Sequence, residues 1–225
     1  MKIKTLIGAA GATAVLLAAP IASAHDGDHD KGPQIEKSYD FTGFDRIHIE
    51  GVYEVDIRVG PKFSIETSGS EKRMKRTDVF VSGDKLVLGV KENARGKNWR
   101  GKNKGIKAVV TLPALSEISL MGVGSVEARG IKADKFTASL EGVGSMELSG
   151  TCNRFDASVE GVGSLEADDL ECKDVDVKVE GMGSAEVYAS ASVAADIEGI
   201  GSIDVDGSPQ QVKKSKSFLS SIDVR

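Results

Sequence analysis

Five times in its C-terminal half the chain writes nearly the same phrase: Gly122-Val-Gly-Ser125, Gly142-Val-Gly-Ser145, Gly161-Val-Gly-Ser164, Gly181-Met-Gly-Ser184 and Gly199-Ile-Gly-Ser202. The interval between copies is nearly constant, and a degenerate copy, Phe218-Leu-Ser-Ser221, continues the series. A short repeat of strand-forming residues cannot bury its apolar face alone, so copies must stack on one another. The copies also agree column by column. Phe136, Ala138, Leu140, Val143, Met146 and Leu148 become Phe155, Ala157, Val159, Val162, Leu165 and Ala167 one repeat on. Apolar and polar residues alternate on both sides of each Gly-x-Gly, the period-2 signature of a half-buried strand. The expectation is all-β: a right-handed parallel β-helix, a single-domain β-solenoid with about 19–20 residues per coil. Its corners would fall at Gly122, Gly124, Gly142, Gly144, Gly161, Gly163, Gly181, Gly183, Gly199 and Gly201, where glycine permits a sharp turn.

The pattern weakens toward the N-terminus. Residues 47–57 still align with 138–148, and residues 79–90 read as two strands around Ser82-Gly83-Asp84. Residues 91–105 have no apolar periodicity and form a solvated basic loop. Residues 1–24 read as a secretory signal peptide: Lys2 and Lys4, an apolar run from Leu6 to Ala19, then Ala22-Ser23-Ala24 as the cleavage site. The apolar run is too short for a transmembrane helix, so the mature chain carries no transmembrane segment. It is expected in the periplasm, outside the cell or at its surface. A disordered polar leader is expected over 25–37 and the β domain over 38–225.

Charge is distributed unevenly. Residues 71–107 hold 12 Lys/Arg against 4 Asp/Glu, whereas residues 108–212 hold 6 against 19. Glu127, Glu147, Glu166, Glu186, Asp204 and Asp223 share one phase and form a carboxylate column. Glu141, Glu160, Glu180 and Glu198, each just before a glycine, form a second. Such columns suit Ca²⁺ or cationic partners, or simply a solvated face. Parallel stacking places acids about 5 Å apart automatically, so the spacing carries almost no signal for a glycosidase pair. The Ca²⁺-binding nonapeptide motif of β-rolls is absent.

Catalytic constellations are sparse. Of three histidines, His25 and His29 lie in the leader and His48 alternates with Ile47 and Ile49 as an outward strand residue. The recurring Ser125, Ser145, Ser164, Ser184, Ser202 and Ser221 have no regular histidine partner. His25, Asp26 and His29 are weak candidates for a transition metal. Arg95, Lys97, Trp99, Arg100, Lys102 and Lys104 form a patch suited to an anionic polymer such as acidic polysaccharide; nucleic acid is excluded as a partner by export. Cys152 and Cys172 stand one repeat apart, within disulfide range if stacked on neighbouring strands. They either bridge in an oxidising compartment or remain two buried thiols.

Several segments together carry a family resemblance: Phe41-Thr-Gly-Phe-Asp-Arg-Ile-His-Ile-Glu-Gly51, the turn at Gly60, Gly83-Asp-Lys-Leu-Val-Leu88, Leu112-Pro-Ala-Leu115, the Gly-x-Gly-Ser repeats, and Gly207-Ser-Pro with Lys213-Lys-Ser. Across residues 38–225 the chain resembles the bacterial head domains of autotransporter adhesins called GIN domains. It departs from their usual pattern in following the repeat serine directly with an apolar residue and then Glu or Asp. The resemblance implies a parallel β-helix in the cell envelope and an adhesin-like role. The expected function is therefore a non-enzymatic envelope protein that presents a repetitive polar surface to a polysaccharide or an envelope protein. The alternatives are a polysaccharide lyase or hydrolase of β-helix type, and a self-associating structural module. No cofactor is implied beyond the Ca²⁺ that the columns suit.

Overall fold

The structure, a computed structural model, describes residues 33–91 and 105–225. Alternating residues form strand through nearly all of both segments. In chain order these are β1 (Gln34–Tyr39), β2 (Arg46–Val59), β3 (Ser64–Ser70), a one-turn helix α1 (Glu71–Met74), β4 (Thr77–Ser82) and β5 (Lys85–Val90). Then follow β6 (Ile106–Leu112), the 90-residue β7 (Glu117–Asp206), β8 (Gln211–Lys216) and β9 (Ser220–Val224). Of the leader expected over 25–37, Gln34–Lys37 are part of β1, paired antiparallel with β3. The signal peptide lies outside the described residues.

β7 contains the five repeats, and they lie one above another. The backbone nearest Gly142 is that of Gly122; nearest Gly161 is Gly142, nearest Gly181 is Gly161, and nearest Gly199 is Gly181. Like residues rest on like: the Phe136 and Phe155 rings stack with centroids 5.8 Å apart. The stack continues into β2 through the parallel register Gly51↔Gly122, and into β9 through Ile203↔Ile222.

The architecture of the whole nevertheless corrects the expected right-handed parallel β-helix and solenoid. The strands form one mixed sheet, curled into a half-barrel. Its order runs β1-β3-β6-β2-β5-β4, with β7 joined to β2, β8 and β9. The β1–β3, β3–β6 and β4–β5 pairs are antiparallel. The reason is local. Residues 60–112 lack Gly-x-Gly, and β4 and β5 are joined by the tight turn at Gly83 (φ +64°), which can only reverse the chain. β2 is the branch point. Its first half pairs with β5 and its second half with β6, while β7 covers almost all of its length.

The interior is filled by Ile, Leu, Val, Ala and a few aromatics, with Ile47, Ile57, Leu88, Phe136, Phe155 and Val179 fully enclosed. Each large buried side chain contributes about 1.5–3 kcal/mol relative to exposure. Tyr53 is buried as well. Its hydroxyl donates to the Gly89 carbonyl at 2.9 Å, and burial pushes its pKa far above the ordinary tyrosine value. Cys152 and Cys172, in adjacent repeats, are joined by a disulfide with Cα atoms 4.6 Å apart.

The interior corrects the repeat reading at one column. Five of the six apolar columns point inward, but the residue between the two glycines does not. Val143, Val162, Met182 and Ile200 are all exposed. At the preceding glycine the chain takes a conformation that side chains rarely adopt (Gly161 φ +115°).

Candidate functional site: an acidic face with an apolar ridge

In β7, inward residues alternate with outward ones, so the acids of the repeat face solvent. Glu127, Glu147, Glu166, Glu186 and Asp204 follow one another down the stack, and Asp223 pairs in register with Asp204. The register Asp56↔Glu127 and Glu54↔Ser125 extends this face onto β2. Between β6, β2 and the first three repeats lies an open groove of about 400 Å³, lined by Glu54, Asp56, Lys107, Glu127, Glu147 and Glu166 among others.

Cations compensate the two ends of the column. Lys107 Nζ donates to Glu54 Oε1 at 2.9 Å, Arg58 holds Asp56 at 2.6 Å, and Arg129 contacts Glu127. At the far end Arg225 lies 3.6 Å from Asp204. In the middle, Glu147, Glu166 and Glu186 have no ion-pair partner among the described residues. Neighbouring unit charges at this spacing repel by about 1 kcal/mol in water, and the stack holds them together regardless. Of the second column, Glu180 is held by Lys178, whose own pKa is raised by that hydrogen bond and charge.

A different outward network crosses three repeats. Lys135 and Arg154 reach Asp156 at 2.7 and 2.8 Å, and Arg154 also approaches Asp176 at 4.0 Å. Partial burial alone would raise the Asp156 pKa. The two hydrogen bonds and the charges behind them outweigh it and hold the carboxyl below its usual range.

The described residues hold one of the three histidines, and not the weak metal candidates. His48 sits on β2 with Nε2 3.2 Å from Glu50 Oε1. Among the described residues no three His, Cys, Asp or Glu side chains converge as a metal site. His25, Asp26, His29 and the loop residues Arg95, Lys97, Trp99, Arg100, Lys102 and Lys104 lie outside the described residues.

One surface feature escaped the sequence reading. Val123, Val143, Val162, Met182, Ile200 and Leu219 form an unbroken apolar row running the length of the stack, between 44% (Val162) and 61% (Leu219) exposed. The signal was parity. Gly142 and Gly144 keep the even phase of Leu140 and Met146, which puts Val143 on the odd, outward phase with Glu141 and Glu147.

A family model described as "Putative auto-transporter adhesin, head GIN domain" matches residues 43–209. The chain belongs to that family. This is an adhesin-like family of cell-surface or envelope proteins. A crystal structure of a "putative adhesin" from Bacteroides fragilis NCTC 9343 is 24% identical, with 86% of this chain and 97% of that one aligned at a TM-score of 0.70. A "putative lipid binding protein" from Parabacteroides distasonis ATCC 8503 is 20% identical over 87% of this chain and 98% of that one, at a TM-score of 0.52. Both likenesses concern the fold. No curated protein matches the sequence. Among the described residues no helix is long and apolar enough to cross a membrane.

Proposed function

We propose that this GIN-domain chain is a non-enzymatic adhesin-like protein, exported by its N-terminal signal peptide, that binds a basic region of a partner protein through the acidic face of its repeats. The observation that carries the reading is the run Glu147–Glu166–Glu186, which has no ion-pair partner among the described residues and is held at fixed spacing by the stack beneath it. A fixed column of like charge draws cationic partners and speeds their encounter. An acidic polysaccharide would be repelled. Neutral glycans commonly stack on aromatic rings, and the groove lining has none among the described residues.

Catalysis of the lyase or hydrolase type has one point in its favour, the Lys107–Glu54 contact beside Glu127 and Glu147. Both side chains are more than half exposed, at 57% and 54%. Solvent screens such a pair, and a general acid needs a carboxyl pushed up by burial.

The test is an array of basic and acidic proteins and glycans, probed with the mature protein at low and high salt. Binding to basic proteins should weaken with salt and fall at least tenfold in the Glu147→Gln/Glu166→Gln/Glu186→Gln variant. Equal binding by the variant would overturn the proposal. So would release of unsaturated or reducing sugar ends from a polysaccharide panel.

A further inference from the structure

The apolar row has the geometry of a docking ridge. Its six side chains repeat at the spacing of neighbouring strands, about 4.8 Å, so the row is about 24 Å long. Exposed apolar surface that is contiguous, rather than scattered, marks interaction sites. Here it is also flanked by charge. Glu141, Glu160, Glu180 and Glu198 stand two residues before the ridge positions, and Glu127, Glu147, Glu166 and Glu186 stand four residues after.

We propose that this ridge binds an amphipathic α-helix of a partner protein, with an apolar stripe bordered by Lys or Arg. Charge complementarity selects the partner's flanks; this part rests on the acidic-face reading above. The backbone selects its conformation. From Val123 to Ile200 the ridge residues lie inside β7 with a strand stacked on each side, so there they offer no free edge to an incoming strand; Leu219, between β8 and β9, ends the row. A helix satisfies its own backbone and presents one apolar residue per turn, every ~5.4 Å, close to the ridge spacing. About 16 helical residues, at ~1.5 Å each, cover the row. A second copy of the chain fits poorly, because two ridges meeting would bring like-charged columns together. An anionic lipid surface would meet the same repulsion.

The experiment uses the mature protein and a Leu/Lys peptide of about 18 residues, long enough to cover the row, with its leucines on one helical stripe. A scrambled peptide of equal composition is the control. Binding is read by isothermal titration, with circular dichroism reporting helix formation. The ridge variant is Val143→Thr/Val162→Thr/Met182→Gln, which keeps side-chain volume and strand propensity; its thermal unfolding is expected to match the wild type within a few degrees. The stripe peptide should bind the wild type at least tenfold more tightly than the scrambled one does, and the ridge variant should lose at least tenfold. The proposal is overturned if stripe and scrambled peptides bind alike, or if the ridge variant binds as the wild type does. It is likewise overturned if the ridge variant instead abolishes dimerisation in sedimentation, or binding to phosphatidylglycerol vesicles, while peptide binding persists. Loss of affinity in the Gln column variant alone would leave the acidic-face reading standing and remove the ridge. Loss in the ridge variant alone would do the reverse.

Discussion

Replacing Gly163 by alanine tests the stacking of the repeats directly. Gly163 does not have a positive φ, so alanine meets no torsional strain there. Taken alone, the loss of chain freedom in the unfolded state would stabilise the protein by about 0.4–1 kcal/mol. The added Cβ, however, would lie 2.7 Å from the Gly144 carbonyl oxygen and 2.9 Å from Leu140 Cδ2. The carbonyl belongs to the neighbouring repeat, and Leu140 is enclosed in the core at 1% exposure, so neither can move aside freely. Overpacking of this kind costs about 1–3 kcal/mol. The clash wins, leaving a net loss of about 1–2 kcal/mol. For a domain of this size that lowers the melting temperature by about 2–8 °C. Thermal unfolding of the oxidised protein by calorimetry measures it, with the exposed neighbour Val162→Ala as a control expected within about 0.5 kcal/mol of wild type. Gly161→Ala should cost more than Gly163→Ala, because its φ of +115° adds strain to a similar contact. A Gly163→Ala variant that melts at or above the wild-type temperature would refute close stacking at the second glycine.

Two further outcomes concern cross-repeat ties. The Asp156 carboxyl has a depressed pKa in the folded state, so its contribution is present above the unfolded value near ~3.9 and lost as pH falls through the folded one. Asp156→Asn should destabilise by about 1 kcal/mol at pH 7. In paired denaturation curves the gap from wild type should close as pH falls below about 4; a gap constant with pH would count against the ion-pair network. Removing the disulfide with Cys152→Ala/Cys172→Ala should cost about 3 kcal/mol, the loop-closure value for a bridge spanning 20 residues. Alkylation of either thiol in the unreduced, unfolded wild type would contradict the bridge itself.

How much was legible in the sequence differs by region. In β7 the repeat and the alternation specify each other, and the strands, the inward columns headed by Phe136 and Phe155, and the outward acids can all be read directly. The outward direction of the Val162 column is harder to read, because two glycines interrupt the side-chain alternation on either side of it. A glycine has no side chain to show which way it points, and in the structure the first glycine of each repeat has a positive φ while the residue after it faces solvent. In residues 60–112 the alternation predicts strands but not partners.

Residue order is enough to establish that the chain is all-β, that its C-terminal half piles like residues on like, and that acids line the outside. These follow from an alternation of two and a recurring Gly-x-Gly-Ser phrase. Folding in three dimensions settled that β2 serves as a shared strand for β5, β6 and β7, and that hairpins curl the sheet into a half-barrel. It also brought Glu54 and Lys107 beside Glu127, in one groove. Those pairings join residues far apart along the chain. A local pattern fixes which way a side chain faces, not which distant strand its backbone will meet.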